Sequence, residues 1–181
     1  LRLLLLMVKI LVVGCGQLGS RYLQGINNLN FKCDIIVIDN SDHSILKAQE
    51  IWKNIVKNKN FHKILWKKQI PKYLSKIDLA IIATSSFERG KLIYNISKKV
   101  KVRYWIIEKI VAQCTKELKL IKKSTLKAKA AFINTPRRTM KWYKTLKLAL
   151  NKKNPFLIEK KGKLWNLASN AIHFIDLVSW M

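Results

Sequence analysis

Short apolar runs alternate with amphipathic stretches along the first three quarters of the chain. The runs are almost continuously hydrophobic, which is typical of strands that are buried on both faces of a sheet. The six predicted strands cover residues 9–13, 33–39, 64–66, 78–83, 104–108 and 130–134. The predicted helices cover residues 17–29, 44–56, 87–97 and 115–127, with a helical turn at 71–75. Strands that alternate with helices predict an α/β fold with a parallel, doubly wound sheet.

The pattern changes after Pro136. A helix is predicted over residues 139–150, and a polar break follows it. The later predicted elements are two short strands at 156–158 and 163–165 and an apolar helix at 168–181. That helix ends in apolar side chains that need a packing partner. We therefore divide the chain into a sheet domain at 1–134 and the start of an incomplete, truncated α+β domain at 135–181.

Three glycines directly follow the first predicted strand and open the first predicted helix. Their spacing is G-x-G-x-x-G. The first glycine permits a tight turn, the second lets backbone amides approach a pyrophosphate, and the third lets the helix pack closely on the sheet. The helix N-terminus adds free N–H groups and a positive dipole end. The pattern predicts a Rossmann dinucleotide-binding loop formed by Gly14, Gly16, Gln17, Leu18 and Gly19.

An acidic residue ends the second predicted strand. Asp39 lies 20 residues beyond Gly19. A carboxylate at this place accepts hydrogen bonds from the adenosine ribose hydroxyls and repels a 2′-phosphate. Asp39, together with its neighbour Asn40, therefore predicts NAD as the cofactor and disfavours NADP. The alternative is that Asp39 only closes a turn over residues 39–41.

The chain is strongly basic, with 36 Lys and Arg residues against 10 Asp and Glu and a net charge of +26. Such a charge suits a surface that binds nucleic acid or another polyanion. However, only six of the basic residues are arginines, and the lysines are spread along most of the chain. Base readout favours arginine forks, and single-strand binding favours interleaved aromatic residues. We interpret the charge as a compositional bias without a specific nucleic-acid partner, and polyanion binding stays open as an alternative.

Cysteine use and hydropathy bear on the cellular compartment. Cys15, Cys33 and Cys114 lie far apart, without a CxxC pair or a histidine at metal-ligand spacing. Reduced thiols in a cytoplasmic protein without a metal site are the simplest interpretation. No run approaches the ~20 apolar residues that cross a bilayer, so a membrane location is disfavoured. The chain begins at Leu1, and Met7 is a candidate start of translation.

Three blocks of sequence carry a resemblance to a known family. They are residues 8–24 around the glycine loop, residues 78–85 together with Glu108-Lys109, and residues 169–176. In this order they resemble the Gfo/Idh/MocA oxidoreductases, which are NAD(P)-dependent sugar and inositol dehydrogenases and their relatives. Members of that family are considerably longer and carry a large second domain with an open sheet. The resemblance therefore implies a two-domain fold of which most of the second domain is missing here.

The resemblance implies roles for two candidate catalytic residues. Lys109 matches the lysine of a Glu-Lys-Pro motif that lies beside the nicotinamide, and Ile110 stands in place of the proline. A cation at that position polarises the reacting hydroxyl or carbonyl oxygen. His173 matches the histidine that exchanges a proton with the substrate. Ser169 stands where the family has an aspartate, and Asp176 matches a further acid that would orient the imidazole.

The resemblance also implies further cofactor contacts, because the backbone at the ends of the fourth and fifth strands lines the cofactor. These positions are Ala83, Thr84, Ser85 and Glu108. Asn134, Arg137 and Arg138 resemble the crossing into the second domain, where a structural role is expected. The implied function is hydride transfer between NAD(P) and a hydroxyl of a small sugar-like molecule, with homo-oligomers expected if a full second domain exists. The alternative is a truncated, non-catalytic nucleotide-binding remnant.

Overall fold

The computed structural model describes residues 7–55, 61–150, 155, 157–159, 161–163 and 166–181. The chain forms two compact units, of which the first ends at Ile133 and the second runs from Asn134 to Met181. Within the described ranges, every helix is too short or insufficiently apolar to cross a membrane.

The described part of the first unit is a single parallel sheet flanked by helices. The strands are β1 (Val8–Val13), β2 (Cys33–Ile38), β3 (Lys63–Lys67), β4 (Lys76–Ile82), β5 (Lys101–Ile107) and β6 (Ala130–Ile133). The helices are α1 (Gln17–Asn27), α2 (Asp42–Ile55), α3 (Arg89–Lys99) and α4 (Thr115–Thr125). The strand order is β3-β2-β1-β4-β5-β6, and every neighbouring pair is parallel. This order defines the doubly wound Rossmann fold, so the predicted fold class is confirmed.

Both faces of the sheet are buried, and successive residues of β1 supply opposite faces. Ile10 and Val12 pack with residues of α1 and α2, whereas Leu11 and Val13 pack with residues of α3 and α4. A strand that contributes to two cores has no position for a polar side chain along its middle. This is the physical reason for the nearly continuous apolar runs that the sequence contains.

The strand register places the loops that follow β1, β2, β4 and β5 side by side at the carboxyl edge of the sheet. Val13 is paired with Ile38 on one side and with Ile82 on the other, and Ile82 is paired with Ile107. The chain leaves β1 towards the helices of one face and β4 towards those of the other. The carboxyl ends of β1 and β4 therefore form the crevice at which doubly wound sheets bind ligands.

Several element ends differ from the sequence prediction. Strands β4 and β5 begin at lysines, earlier than predicted, because Lys76 is paired with Lys101 and the ladder continues beyond the apolar run. Helix α3 begins at Arg89 because Glu88 has a left-handed backbone with φ of 48°. The predicted turn near Pro71 is present, since the Leu74 N–H donates to the Pro71 carbonyl at 3.1 Å. The predicted end of α2 at Val56 falls outside the described residues.

The described part of the second unit contains a 3₁₀ turn at Pro136–Thr139 and the helices α5 (Lys141–Ala149) and α6 (Leu167–Trp180). The prediction of one helix over 139–150 was wrong at its start, because Met140 has an extended backbone that separates the turn from α5. Arg137 lies over the Phe174 ring at 4.1 Å, and Arg138 pairs with Asp176. Both arginines thus connect the turn to α6, as the structural role expected for them requires.

The two short strands predicted for the second unit are not present at the described positions. Leu157, Ile158 and Lys163 lie outside strands, and the rest of the second strand and Phe156 fall outside the described residues. Leu157 is 91% exposed. An exposed apolar side chain provides no burial to hold an isolated strand in place.

Candidate functional site

Two glycines of the loop after β1 are required by close contacts within the protein. Gly14 has φ of +88°, and a Cβ there would lie 2.9 Å from the Thr84 nitrogen. A Cβ on Gly19 would lie 2.0 Å from the Gly14 carbonyl oxygen. Side chains at these two positions would push the loop away from β4 and from the start of α1. The loop is therefore packed as tightly against the sheet as its spacing predicted.

The middle glycine of the loop faces open space. Gly16 is exposed, and a Cβ placed on it would meet no atom within 4 Å. It is the N-cap residue of α1 and has a negative φ of −62°, which any L-residue can adopt. No side chain caps this helix end. The first-turn amides, which have no partner within a helix, thus face the space beside Gly16.

Asp39 holds the glycine loop from the end of β2. Its Oδ2 accepts a hydrogen bond from the Cys15 N–H at 2.8 Å, and its Oδ1 accepts one from the Ser41 N–H at 2.9 Å. The turn role considered for Asp39 is therefore present, together with a contact to the loop that local sequence does not reveal. Each carboxylate oxygen has two acceptor sites, so one on each oxygen remains for a ligand hydroxyl. The neighbouring Asn40 is exposed.

Cys15 is a structural part of the loop. Its side chain is 1% exposed, and burial, followed by the charge of Asp39, raises the pKa of the thiol to about 12. A thiol with this pKa stays protonated at neutral pH and is a poor nucleophile. Cys33 is also a buried free thiol, and no cluster of metal-ligating side chains is found among the described residues.

A groove with a cavity volume of about 480 Å³ runs between the N-terminal parts of α1 and α2. Gly16 and Gln17 line one side of it. Arg21, His43 and Lys47 also line it and make its walls basic. A basic groove beside a helix N-terminus is suited to a phosphate-bearing ligand.

The loop after β4 contacts the glycine loop through its backbone. The Ala83 N–H donates to the Val13 carbonyl at 2.8 Å, and Ala83 atoms lie 3.0 Å from the position of a Cβ on Gly14. Thr84 is half-buried and Ser85 is exposed, with the Thr84 hydroxyl donating to the Ser85 carbonyl at 3.1 Å. The predicted cofactor positions 83–85 therefore lie beside the predicted phosphate loop.

Glu108 and Lys109 follow β5 at the same level of the sheet. The Glu108 side chain is 2% exposed and accepts a hydrogen bond from the Tyr22 hydroxyl at 2.6 Å. Burial, followed by this hydrogen bond, raises the pKa of Tyr22. The Glu108 carboxylate is thus directed to α1, while Lys109 is half-buried and is joined to Ile110 by a cis peptide bond.

Sequence reasoning did not single out Arg89, which the structure places among these loops. Its side chain is 1% exposed. Its guanidinium donates hydrogen bonds to the carbonyl oxygens of Thr84, Glu108 and Ile110. Burial lowers the pKa of Arg89, and the nearby charges of Glu108 and Glu117 oppose that shift. The available signal was an arginine at the start of a helix in a chain whose cations are mostly lysines.

His173 lies in α6 of the second unit and is half-buried. Asp176, expected to orient the imidazole, pairs with Arg138, whose Nε donates to Oδ2 at 2.6 Å and whose Nη2 donates to Oδ1. This pairing is the main cause that lowers the pKa of Asp176. His173 also interacts electrostatically with Asp176. An arginine fork satisfies both carboxylate oxygens at once. The Ser169 side chain is outside the part of the chain that the structure describes.

No protein-family model and no curated protein matches the chain. Solved structures do match. Myo-inositol dehydrogenase from Lactobacillus casei, in complex with NAD(H) and myo-inositol, is 16% identical with a TM-score of 0.68, over 97% of this chain and 54% of that one. An oxidoreductase from Agrobacterium radiobacter, in complex with NAD+, L-tartaric acid and magnesium, is 14% identical with a TM-score of 0.70, over 96% of this chain and 54% of that one.

A third match is scyllo-inositol dehydrogenase from Lactobacillus casei with bound NAD(H) and scyllo-inositol. It is 16% identical with a TM-score of 0.64, over 96% of this chain and 56% of that one. The chain thus shares the fold of these three proteins and spans about half of their length.

Proposed function

We propose that the chain binds NAD(H) and acts, as an oxidoreductase of the Gfo/Idh/MocA type, in hydride transfer to or from a hydroxyl-bearing carbon of a sugar-like molecule. The observation that carries the proposal is the difference between the three glycines of the loop. Gly14 and Gly19 are needed for contacts within the protein, whereas Gly16 has open space before it. A glycine at that position is explained by a ligand that approaches the backbone.

The chemistry of the loop suits a pyrophosphate. The first turn of α1 offers amide donors and the positive end of the helix dipole, and anions bind at such ends. The groove between α1 and α2 adds Arg21 and Lys47. These groups attract the negative charge of a dinucleotide and offer hydrogen bonds to its phosphates.

Asp39 supports NAD as the dinucleotide. Its two oxygens each retain an acceptor site after bonding the Cys15 and Ser41 amides. Those sites suit the two hydroxyls of an adenosine ribose, whereas a 2′-phosphate would meet a negative charge there. The solved structures with this fold that contain NAD(H) are consistent with this choice.

Lys109 and His173 are the proposed catalytic residues. The bound nicotinamide supplies or accepts the hydride. The Lys109 ammonium would donate a hydrogen bond to the reacting oxygen of the substrate and stabilise negative charge that develops on it. The imidazole of His173 would take the hydroxyl proton during oxidation and return it during reduction. The inositol-bound structures with this fold support a polyol as the substrate class.

The alternative proposal is nucleotide binding without turnover. It is favoured by Ser169, which cannot supply the negative charge of the aspartate found in the family.

The buried free thiols of Cys15 and Cys33 support a reducing compartment such as the cytoplasm.

Titration of the protein with NADH, followed by fluorescence, tests the cofactor site. In the Gly16→Ala variant the new methyl group would occupy the space proposed for the pyrophosphate. Overpacking of this kind costs about 1–3 kcal/mol, so we expect the Kd for NADH to rise about 10- to 100-fold. The melting temperature should fall only slightly, because the methyl group meets no protein atom and only the N-cap preference for glycine over alanine is lost.

Gly25→Ala is the matched control. Gly25 lies exposed in the same helix and a Cβ there also meets nothing within 4 Å. Alanine at this position should stabilise the helix by about 1 kcal/mol at most and leave NADH binding unchanged. Failure of the unaltered protein to bind NADH would refute the proposed cofactor, and equal binding by both variants would refute the placement of the pyrophosphate.

The Asp39→Ala variant tests the ribose contact. It removes the proposed ribose acceptor and also the acceptor for the Cys15 amide. The second loss weakens both cofactors equally, so the ratio of the two Kd values isolates the ribose contact. We expect the preference for NADH over NADPH to fall about tenfold, the value of one charge-assisted hydrogen bond of ~1.5 kcal/mol.

Asp42→Ala is the charge-matched control for that measurement. Asp42 is exposed, lies three residues away, and pairs with Lys68 at 2.8 Å. Its removal changes the net charge by the same amount without touching the loop. An unchanged ratio in the Asp39→Ala variant would remove the ribose assignment.

A further inference from the structure

We propose that Arg89 is a positioning residue that holds the backbone on both sides of Lys109 and thereby fixes where the Lys109 side chain lies. This inference rests on the proposed function of Lys109, but the placement of the backbone can be measured without that function. The geometry that carries it is a buried guanidinium that joins the carbonyl oxygens of three residues in two loops.

The three acceptors surround the segment that carries Lys109. The Glu108 carbonyl precedes Lys109 and the Ile110 carbonyl follows it, and both accept from Nη1 of Arg89. Nη2 donates to the Thr84 carbonyl in the loop after β4. One planar group therefore ties the segment after β5 to the loop that contacts the glycine loop. A lysine could not reproduce this, because its ammonium is a single centre without the fixed fork of a guanidinium.

Burial makes these hydrogen bonds persistent. Arg89 is 1% exposed, and α4 lies directly against the start of α3 at the next residue. A Cβ on Gly90 would lie 3.1 Å from both the Cβ and the carbonyl oxygen of Glu117. With Arg89 only 1% exposed, the guanidinium has little access to water. With little water to replace the guanidinium, loss of Arg89 would leave these three hydrogen bonds unmade.

Nearby carboxylates partly offset the cost of burying the charge of Arg89, which favours retention of the cation. Glu108 and Glu117 both interact electrostatically with it. The Glu108 carboxylate in turn accepts a hydrogen bond at 2.6 Å from the hydroxyl of Tyr22, which lies in α1. The segment around Lys109 is thus held from two helices. Arg89 of α3 bonds the carbonyls of the segment, and Tyr22 of α1 bonds the Glu108 side chain. A constrained backbone on both sides limits the directions that a flexible lysine can take.

The test compares Arg89→Lys with Ile93→Val. Ile93 is fully buried in the core, in the same helix as Arg89. Its apolar side chain forms no hydrogen bond with these loops. The control variant therefore loses stability through core packing alone. Hydrogen–deuterium exchange is measured for both variants and the unaltered protein. For Arg89→Lys we expect exchange in residues 83–88 and 107–113 to rise at least tenfold, with exchange in β1 and α1 changed less than threefold. Ile93→Val should not produce this local pattern.

A second readout measures the catalytic consequence. In Arg89→Lys, kcat for hydride transfer should fall at least tenfold while the Kd for NADH changes less than threefold. Ile93→Val should keep both values, measured below its melting temperature. If Arg89→Lys does not fold, Tyr22→Phe, which removes only the contact from α1, should raise exchange in 107–113 and leave 83–88 unchanged.

Exchange that is unchanged in Arg89→Lys, or raised equally throughout the unit, would overturn the positioning role. In the replacement experiment, a rise in both segments for Tyr22→Phe would overturn it as well. Exchange could rise locally in Arg89→Lys while the unaltered protein binds NADH but shows no hydride transfer. That result would support the positioning role and refute the proposed enzymatic function. The two proposals therefore fail by different observations.

Discussion

Replacement of Lys109 by methionine is expected to lower the rate of hydride transfer about 10²- to 10³-fold, the usual effect of removing one donor to a developing oxyanion. Methionine keeps most of the side-chain length and removes the ammonium group. Lys109 directly follows β5 at the carboxyl edge of the sheet and is half-buried. The nicotinamide is expected at this edge, whereas the phosphates are expected at the glycine loop. The Kd for NADH should therefore change less than threefold.

The measurement is the change of NADH absorbance with a panel of inositols and other polyols as substrates. Lys119→Met is the matched control, because Lys119 is exposed within α4, outside the loops that directly follow the strands. It should retain full activity and NADH binding. A Lys109→Met protein that is as active as the control would exclude Lys109 from the chemistry. NADH binding without turnover in the unaltered protein would favour the non-catalytic alternative.

Replacement of Gly19 by alanine is expected to destabilise the first unit by about 3 kcal/mol or more, at the upper end of the cost of overpacking. The added Cβ would lie 2.0 Å from the Gly14 carbonyl oxygen and 2.8 Å from the Gly14 carbonyl carbon. The obstacle is backbone, which cannot rotate away as a side chain can. Either the loop or the start of α1 must shift, and the contacts of Gly14 with Ala83 and Thr84 are lost with that shift.

Urea unfolding followed by circular dichroism measures this effect, with Gly16→Ala and Gly25→Ala as controls. All three variants add one methyl group within or next to α1, but only Gly19→Ala meets protein atoms. Gly25→Ala should unfold at or above the urea concentration of the unaltered protein, and Gly16→Ala only slightly below it, because alanine is a poorer N-cap residue than glycine. A Gly19→Ala variant with unaltered stability would contradict the close packing of the loop on the helix.

The sequence predicted those parts of the site whose residues lie close together along the chain. The glycine loop was found because its spacing, its strand and its helix lie within one short segment, and Asp39 was found because it ends the next strand. Lys109 and His173 came only from the resemblance to a family, since a single lysine or histidine carries no signal of its own. Their catalytic roles stay predictions.

Other parts of the site could not be found in this way, because their partners are distant in the sequence. Tyr22 and Glu108 are separated by 86 positions, and Asp39 bonds a loop amide 24 positions before it. Arg89 looks like an ordinary helix residue until β4 and β5 are placed side by side. The pairing of Asp176 with Arg138 was missed for the same reason, since Arg138 lies 38 positions away. The assignment of Asp176 to the imidazole stays a prediction.

The sequence by itself determined the fold class and the glycine loop of this protein. Apolar runs separated by helical stretches leave a doubly wound sheet as the arrangement that buries every strand on both faces. Only the tertiary structure decided which glycines serve packing and which one leaves room for a ligand, and which side chains hold the loops in place. Those outcomes depend on distances between segments, and strand order and register set these distances after the chain has folded.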